Sequence, residues 1–258
     1  MINSYKQALL AFAVALGCNA AQAADPVAVA SYAFNNTLAS STAGAPALTA
    51  TNPLGLSGFG TDMVNGVSQV VYNFQGANSP VTDQAGLTLN TSGLLGSNSV
   101  YSLELVFKFT DRDNAWRRIV DVSSRQTDDG FYVDPGNNLD IYPIGGGSPF
   151  TNNVYHDVFL VNNNGTVSFW LDGLAQASLS THVMDIDANN NINFFLDNVA
   201  AGGQGEYSSG SIASVRLYDA ALSGPPPPVS DVPEPGSAVL LLLGFAGFAG
   251  LGLTRKLR

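Results

Sequence analysis

Residues 27–222 predict an all-β fold, a sandwich of antiparallel sheets, on three observations. Apolar or alternating runs rich in Val, Ile, Phe and Tyr recur at short intervals. Clusters of Asn, Asp, Gly and Ser separate them. No segment between them sustains the 3.6-residue period of an amphipathic helix.

In chain order the predicted strands are Val29–Phe34, Gln69–Phe74, Leu87–Asn90, Tyr101–Thr110, Arg118–Val122, Gly130–Val133, Leu139–Tyr142, Asp157–Val161, Thr166–Leu171, Ile192–Asp197 and Ser211–Tyr218. The clearest is Tyr101–Thr110. Tyr101, Leu103, Leu105, Phe107 and Phe109 alternate with Ser102, Glu104, Val106, Lys108 and Thr110, so one face is apolar and the other mostly polar. Asp172 and Gly173 between Thr166–Leu171 and Leu174–Ala177 suit the type I′ turn of a hairpin, and Asn162–Gly165 forms a second tight turn. Many short strands with such turns in one domain fit a sandwich whose edges are managed as in a jelly roll.

After Leu222 the composition changes. Residues 223–231 include four consecutive prolines, Pro225 to Pro228, which hold an extended polyproline spacer. Residues 232–258 then bring Pro233, Glu234 and Pro235, an uncharged apolar run from Gly236 to Leu253, and the basic end Arg255, Lys256 and Arg258. The run is 18 residues long, enough as a helix to cross most of a bilayer core of about 30 Å. Cations after the span favour a cytoplasmic C-terminus, leaving the rest of the chain on the other side.

Proline–glutamate–proline, span and basic end in this order resemble the PEP-CTERM sorting tail of Gram-negative bacteria. The resemblance implies that an exosortase cuts near the motif after an inner-membrane intermediate and passes the protein to the cell surface or extracellular matrix. A permanent single-pass anchor is the alternative.

The other end agrees with export. Residues 1–23 read as a signal peptide for the Sec machinery: Lys6 in a short leading region, an apolar stretch Ala8–Gly17, and Ala21 and Ala23 as the small-x-small cleavage site. Cys18 raises a lipoprotein alternative, but Ala15 stands where a lipobox requires Leu. Cys18 is also the only cysteine, so the exported part has no disulfide, thiol nucleophile or thiolate metal ligand. Its core must hold the fold unaided.

Charge excludes nucleic acid as a partner. The chain carries net −10, and all 20 acidic residues lie between Asp25 and Glu234, where only Lys108, Arg112, Arg117, Arg118, Arg125 and Arg216 oppose them. Phosphate binding needs a basic face.

Within the domain, Tyr101–Thr110, Arg117–Val122, Tyr155–Val161, Thr166–Gly173 and Phe194–Leu222 resemble a concanavalin A-like, laminin G-like jelly roll. The most specific stretch runs Phe195, Leu196, Asp197, Asn198, then Gly202, Gly203, Glu206, Ser209 and Gly210, and closes on Val215 to Ser223. The likeness implies a jelly-roll β-sandwich flanked by the signal peptide and the C-terminal transmembrane helix. The related pentraxin lectins hold Ca²⁺ on a loop of similar layout, and Asp197, Asn198 and Glu206 occupy matching positions, with Gly202, Gly203 and Gly205 to bend the loop. Against this, Val199, Ala200 and Ala201 bring no ligand, and the same acids would also serve to cap a loop. Asp128, Asp129, Asp134 and Asp140 form another oxygen-rich stretch that reads as exposed turns.

Trp116 beside Arg117 suits stacking on a sugar ring, or core packing. His156 reads as a packed residue. His182 reads as a loop residue without a catalytic companion.

Catalysis finds no support in the residues. Glycosidases need two carboxyl groups across one sugar bond, yet Glu104, Glu206 and Glu234 are the only glutamates and none has an acid two or four residues away. No nucleophile elbow or zinc-protease pattern is present. The sequence therefore predicts a non-catalytic exported protein associated with extracellular polysaccharide. A sandwich glycoside hydrolase or lyase, and an inert, permanently anchored matrix protein, are the alternatives.

Overall fold

The computed structural model describes residues 26–226. The signal peptide with Ala21 and Ala23, the motif Pro233, Glu234 and Pro235, the run 236–253, and Arg255, Lys256 and Arg258 all lie outside the described residues. Among the described residues no helix is long and apolar enough to cross a membrane.

Among the described residues fifteen strands form two sheets: β1 (Ala30–Tyr32), β2 (Thr49–Thr51), β3 (Gly58–Val64), β4 (Val67–Phe74), β5 (Gly86–Asn90), β6 (Val100–Phe109), β7 (Arg117–Asp121), β8 (Gly130–Val133), β9 (Asn138–Tyr142), β10 (Gly145–Pro149), β11 (His156–Asn163), β12 (Thr166–Leu171), β13 (Leu174–Ser180), β14 (Asn191–Phe194) and β15 (Gly210–Tyr218). The first sheet has the order β13-β12-β11-β6-β15-β4-β3, with β1 also paired to β15, and the second β10-β9-β8-β7-β14-β5-β2. All pairings are antiparallel.

Side-chain alternation fills the space between the sheets. Tyr101, Leu103, Leu105, Phe107 and Phe109 of β6 point inward as their spacing predicts and meet Leu87 and Leu89 of β5, Val120 of β7 and Ile192 of β14 in one core. The other face of β6 is not open to water, however. Ser102 and Glu104 are buried, the first under the segment after β15 and the second among side chains of β15 itself. Ser102 Oγ donates to the Ala220 carbonyl at 2.7 Å and accepts the Leu222 N–H at 2.9 Å. Glu104 takes Arg216 at 3.0 Å and the Tyr218 hydroxyl at 3.0 Å.

Three hairpins close on residue pairs with positive φ: Asn65–Gly66, Asn164–Gly165 and Asp172–Gly173. That backbone turns with the same hand as the strands it joins. β11 runs on to Asn163, so its turn is tighter than the predicted Asn162–Gly165.

Three strands carry no signature in the sequence. β2 has three residues, β3 contains two glycines, and β10 is Gly-Gly-Gly-Ser-Pro. None shows apolar alternation.

The predicted strand Ile192–Asp197 ends three residues early. It stops as β14 at Phe194, because Phe195 has φ 62°. Consecutive strand residues face opposite sides of a sheet, yet Phe194 and Phe195 are both in the core. The left-handed backbone at Phe195 swings its ring inward onto Phe74, stacked at 3.9 Å between centroids. The same kink carries the chain off the sheet into the loop 197–206.

Candidate functional site

The β4–β5, β6–β7, β8–β9 and β14–β15 connections gather at one end of the sandwich. β7 delivers the first charged groups. A bulge between Arg118 and Val120 places Ile119 and Val120 both in the core, and this extra residue lets Arg118 and Asp121 share the outer face. Their side chains form an ion pair at 2.7 Å with both fully buried. The guanidinium of Arg118 also lies 4.5 Å from the centroid of the Tyr132 ring.

Two loops converge on this pair. From 123–129, the Arg125 N–H donates to Asp121 Oδ1 at 2.8 Å, and the Asp128 carbonyl accepts from Arg118 Nη2 at 2.8 Å. From 197–206, Asp197 is held at both ends: its N–H donates to Gln84 Oε1 at 2.8 Å, and its Oδ2 accepts the Glu206 N–H at 2.8 Å. Arg118 Nε stands 3.1 Å from Asp197 Oδ1, near enough for ion pairing but not aligned for a hydrogen bond. Asn198 donates from Nδ2 to Asp128 Oδ1 at 3.0 Å.

Asp128, Asp197 and Glu206 thereby each offer a carboxylate oxygen within 4.8 Å of the other two. The residues fit a hard cation, which takes carboxylate and amide oxygens. Two features support the fit. Asn198 is fully buried, and its Oδ1, an amide acceptor, has no hydrogen-bond partner. Glu206 is pushed up to about 8 by burial and then by the charges of Asp197 and Asp128, so without a cation it holds its proton at neutral pH. Arg118 and Arg112 pull the other way, but burial and the neighbouring carboxylates outweigh them.

The glycines of the loop are forced. Gly202 and Gly205 have φ of 70° and 92°; a Cβ on Gly202 would sit 2.4 Å from Asp128, and one on Gly205 would meet the Asn78 carbonyl at 2.7 Å.

Glu206 faces a cleft of about 660 Å³ whose walls include Pro80, Arg112, Trp116, Gln204 and Gly205. Trp116 is half-buried and held edge-on by Tyr132 at 5.5 Å and Tyr142 at 5.4 Å, so one part of the indole packs while another lines the cleft. Arg112 donates to the Gly205 carbonyl at 3.3 Å and ties the wall to the acidic loop.

The structure thus brings Asp197, Asn198, Glu206 and Trp116 to one site and adds Arg118, Asp121, Asp128, Gln84 and Arg112. Asp128 leaves the class of simple exposed turns in which its sequence neighbourhood placed it. Nothing in the local pattern joins it to Asp197.

Both histidines gain carboxylate companions that the sequence did not reveal. His156 Nδ1 lies 2.7 Å from Asp172, with Nε2 at Thr151, and His182 Nδ1 lies 2.8 Å from Asp185. Neither histidine lines the cleft.

A family model described as the concanavalin A-like lectin/glucanases superfamily matches residues 81–225. The chain belongs to that superfamily. A second model, the PEP-CTERM protein-sorting motif, matches residues 231–256 and marks this superfamily member as an exported protein sorted through the cell envelope. No curated protein matches the sequence.

Among solved structures, the chain is similar to domain 4 of AbnA, a GH43 extracellular arabinanase from Geobacillus stearothermophilus, in complex with arabinotriose. The identity is 18% and the TM-score 0.57, over 77% of this chain and 95% of that one. It is also similar to botulinum neurotoxin type C, whose cell entry depends on two ganglioside molecules, at 11% identity and TM-score 0.52, over 85% of this chain and 51% of the other. The binding domain of botulinum neurotoxin DC in complex with SialylT gives 10% and 0.52, over 76% and 48%. The chain spans about half the length of the neurotoxin chains, and at these identities the likeness is one of fold.

Proposed function

We propose that this protein is an exported, non-catalytic glycan-binding module whose ligand lies in the Trp116 cleft and whose loop 197–206 is ordered by Ca²⁺ on Asp128, Asp197, Asn198 and Glu206. The observation that carries the reading is the shared wall: Glu206 belongs both to the acidic cluster and to the cleft that Trp116 lines. A cation there would take the place of the Glu206 proton, and an aromatic face beside polar Arg112 and Gln204 suits a sugar ring, which is apolar on its faces and hydroxylated at its rim. The similar arabinanase domain, in complex with arabinotriose, and the neurotoxin, dependent on gangliosides for cell entry, support a polysaccharide ligand by analogy of fold. The sorting motif favours exosortase as the processing partner and the extracellular matrix as the place of action.

A non-catalytic role fits the same geometry. Hydrolysis of a glycosidic bond needs two carboxyl groups free to approach one sugar. Asp197 is fully buried and engaged by the Glu206 N–H, and Asp128 is engaged by Asn198, which leaves Glu206 as the lone carboxyl at the cleft wall.

A polysaccharide array run with calcium and with EDTA tests the reading. Binding that weakens in EDTA and is lost in Trp116→Ala is expected. A flat array in both buffers would remove the glycan reading, and release of reducing ends from any polysaccharide would replace it with hydrolysis.

A further inference from the structure

The geometry points to β3 as the contact through which two copies of this chain pair edge to edge, in one continuous antiparallel sheet with a two-fold axis at Thr61. The other sheet edges are blunted. β13 carries a bulge at Gln176, whose side chain takes the Ser148 N–H of β10 at 2.8 Å, β10 ends at Pro149 after an irregular register, and β2 has only three residues. β3 is seven residues long, contains no proline, and has no neighbour on its far side among the described residues. Natural sheets rarely leave such an edge unguarded.

Register fixes which groups are free. Val64 pairs with Val67 across the two-residue turn Asn65–Gly66, so Val64, Asp62 and Gly60 exchange hydrogen bonds with β4, while Phe59, Thr61 and Met63 turn their N–H and C=O groups outward. The Met63 N–H is taken by Asp62 Oδ1 at 2.8 Å. About a two-fold axis at Thr61, each Thr61 exchanges both bonds with its counterpart, and the Phe59 N–H reaches the Met63 carbonyl of the second copy.

Side chains agree with this register. Phe59 falls opposite Met63, and the two are 38% and 58% exposed; of the ten large apolar side chains left exposed among the described residues, five lie between Leu54 and Val67. An aromatic ring against a thioether is a favourable pair. Charge also permits a second copy, although the domain is acidic. Asp62 is the only charge on the strand, it is paired with Lys108 at 2.6 Å, and it falls opposite Gly60, so no carboxylate meets another. The cleft is lined by loop residues and by none of β3.

Light scattering on the full chain in mild detergent, over about a hundredfold range of concentration, tests the pairing. The wild type is expected at twice the protein mass of one chain. Thr61→Pro removes an N–H that the fold does not use, and Met63→Lys charges an exposed position; each is expected to halve the mass with thermal unfolding unchanged. A monomeric wild type over the whole range would overturn the inference. So would a dimer that persists in both variants.

Discussion

Arg118 is the residue on which the acidic end of the sandwich turns. Its guanidinium is buried with Asp121 and Asp197, and removing one partner of such a cluster leaves carboxylates in a medium that solvates them poorly. Arg118→Met is expected to lower stability by about 3 to 5 kcal/mol, read from urea unfolding in EDTA. Asp157 behaves in the opposite sense. Its carboxyl is pushed up to about 6 by burial, then by Glu104 and Asp172, and its Oδ1 has no partner. An acid raised in this way favours the folded state only while protonated in it, so its contribution is present below the unfolded carboxylate pKa and is lost as pH rises through about 6. Asp157→Asn is expected to flatten the stability profile between about pH 4 and pH 6 and to stabilise the protein by about 1 to 2 kcal/mol at neutral pH. A pH series of thermal melts reads both effects.

At the level of elements, β14 and the loop after it decide whether a site exists. Phe195 stacks on Phe74 and touches Phe107 and Phe109, so Phe195→Ala is expected to cost about 3 to 5 kcal/mol and to loosen the loop that starts two residues later. Gly205→Ala strains a left-handed backbone and drives a methyl group into the Asn78 carbonyl. It is expected to weaken calcium and polysaccharide binding together while the core melts within a few degrees of wild type; calorimetric titration and a thermal scan would separate these. Strands with regular alternation, such as β6 and β12, were legible in the sequence because one buried face imposes a period of two. β3 and β10 were not, since glycine leaves no side-chain pattern to read. The site was half legible. Asp197, Asn198 and Glu206 share one stretch of chain, whereas Arg118 and Asp128 reach them through a bulge and a return loop that only the fold brings near.

For the whole molecule, export predicts a processed product. Intact mass from cells with an active exosortase is expected to lack Arg258, and in cells without the enzyme to retain it within the membrane fraction. The domain also disposes of its positive charge within the fold. Lys108 is paired with Asp62, Arg216 with Glu104 and Arg118 with Asp121. Arg112 is committed to the Gly205 carbonyl, Arg125 to that of Asp197, and Arg117 to Asn137 and Asn152. None of the six is fully exposed. Proteases of the trypsin type must seat a lysine or arginine in an extended, accessible segment before they can cut. A domain whose every lysine and arginine among the described residues is already occupied in this way offers them little to grip, which suits an exported domain with no cysteine to cross-link it.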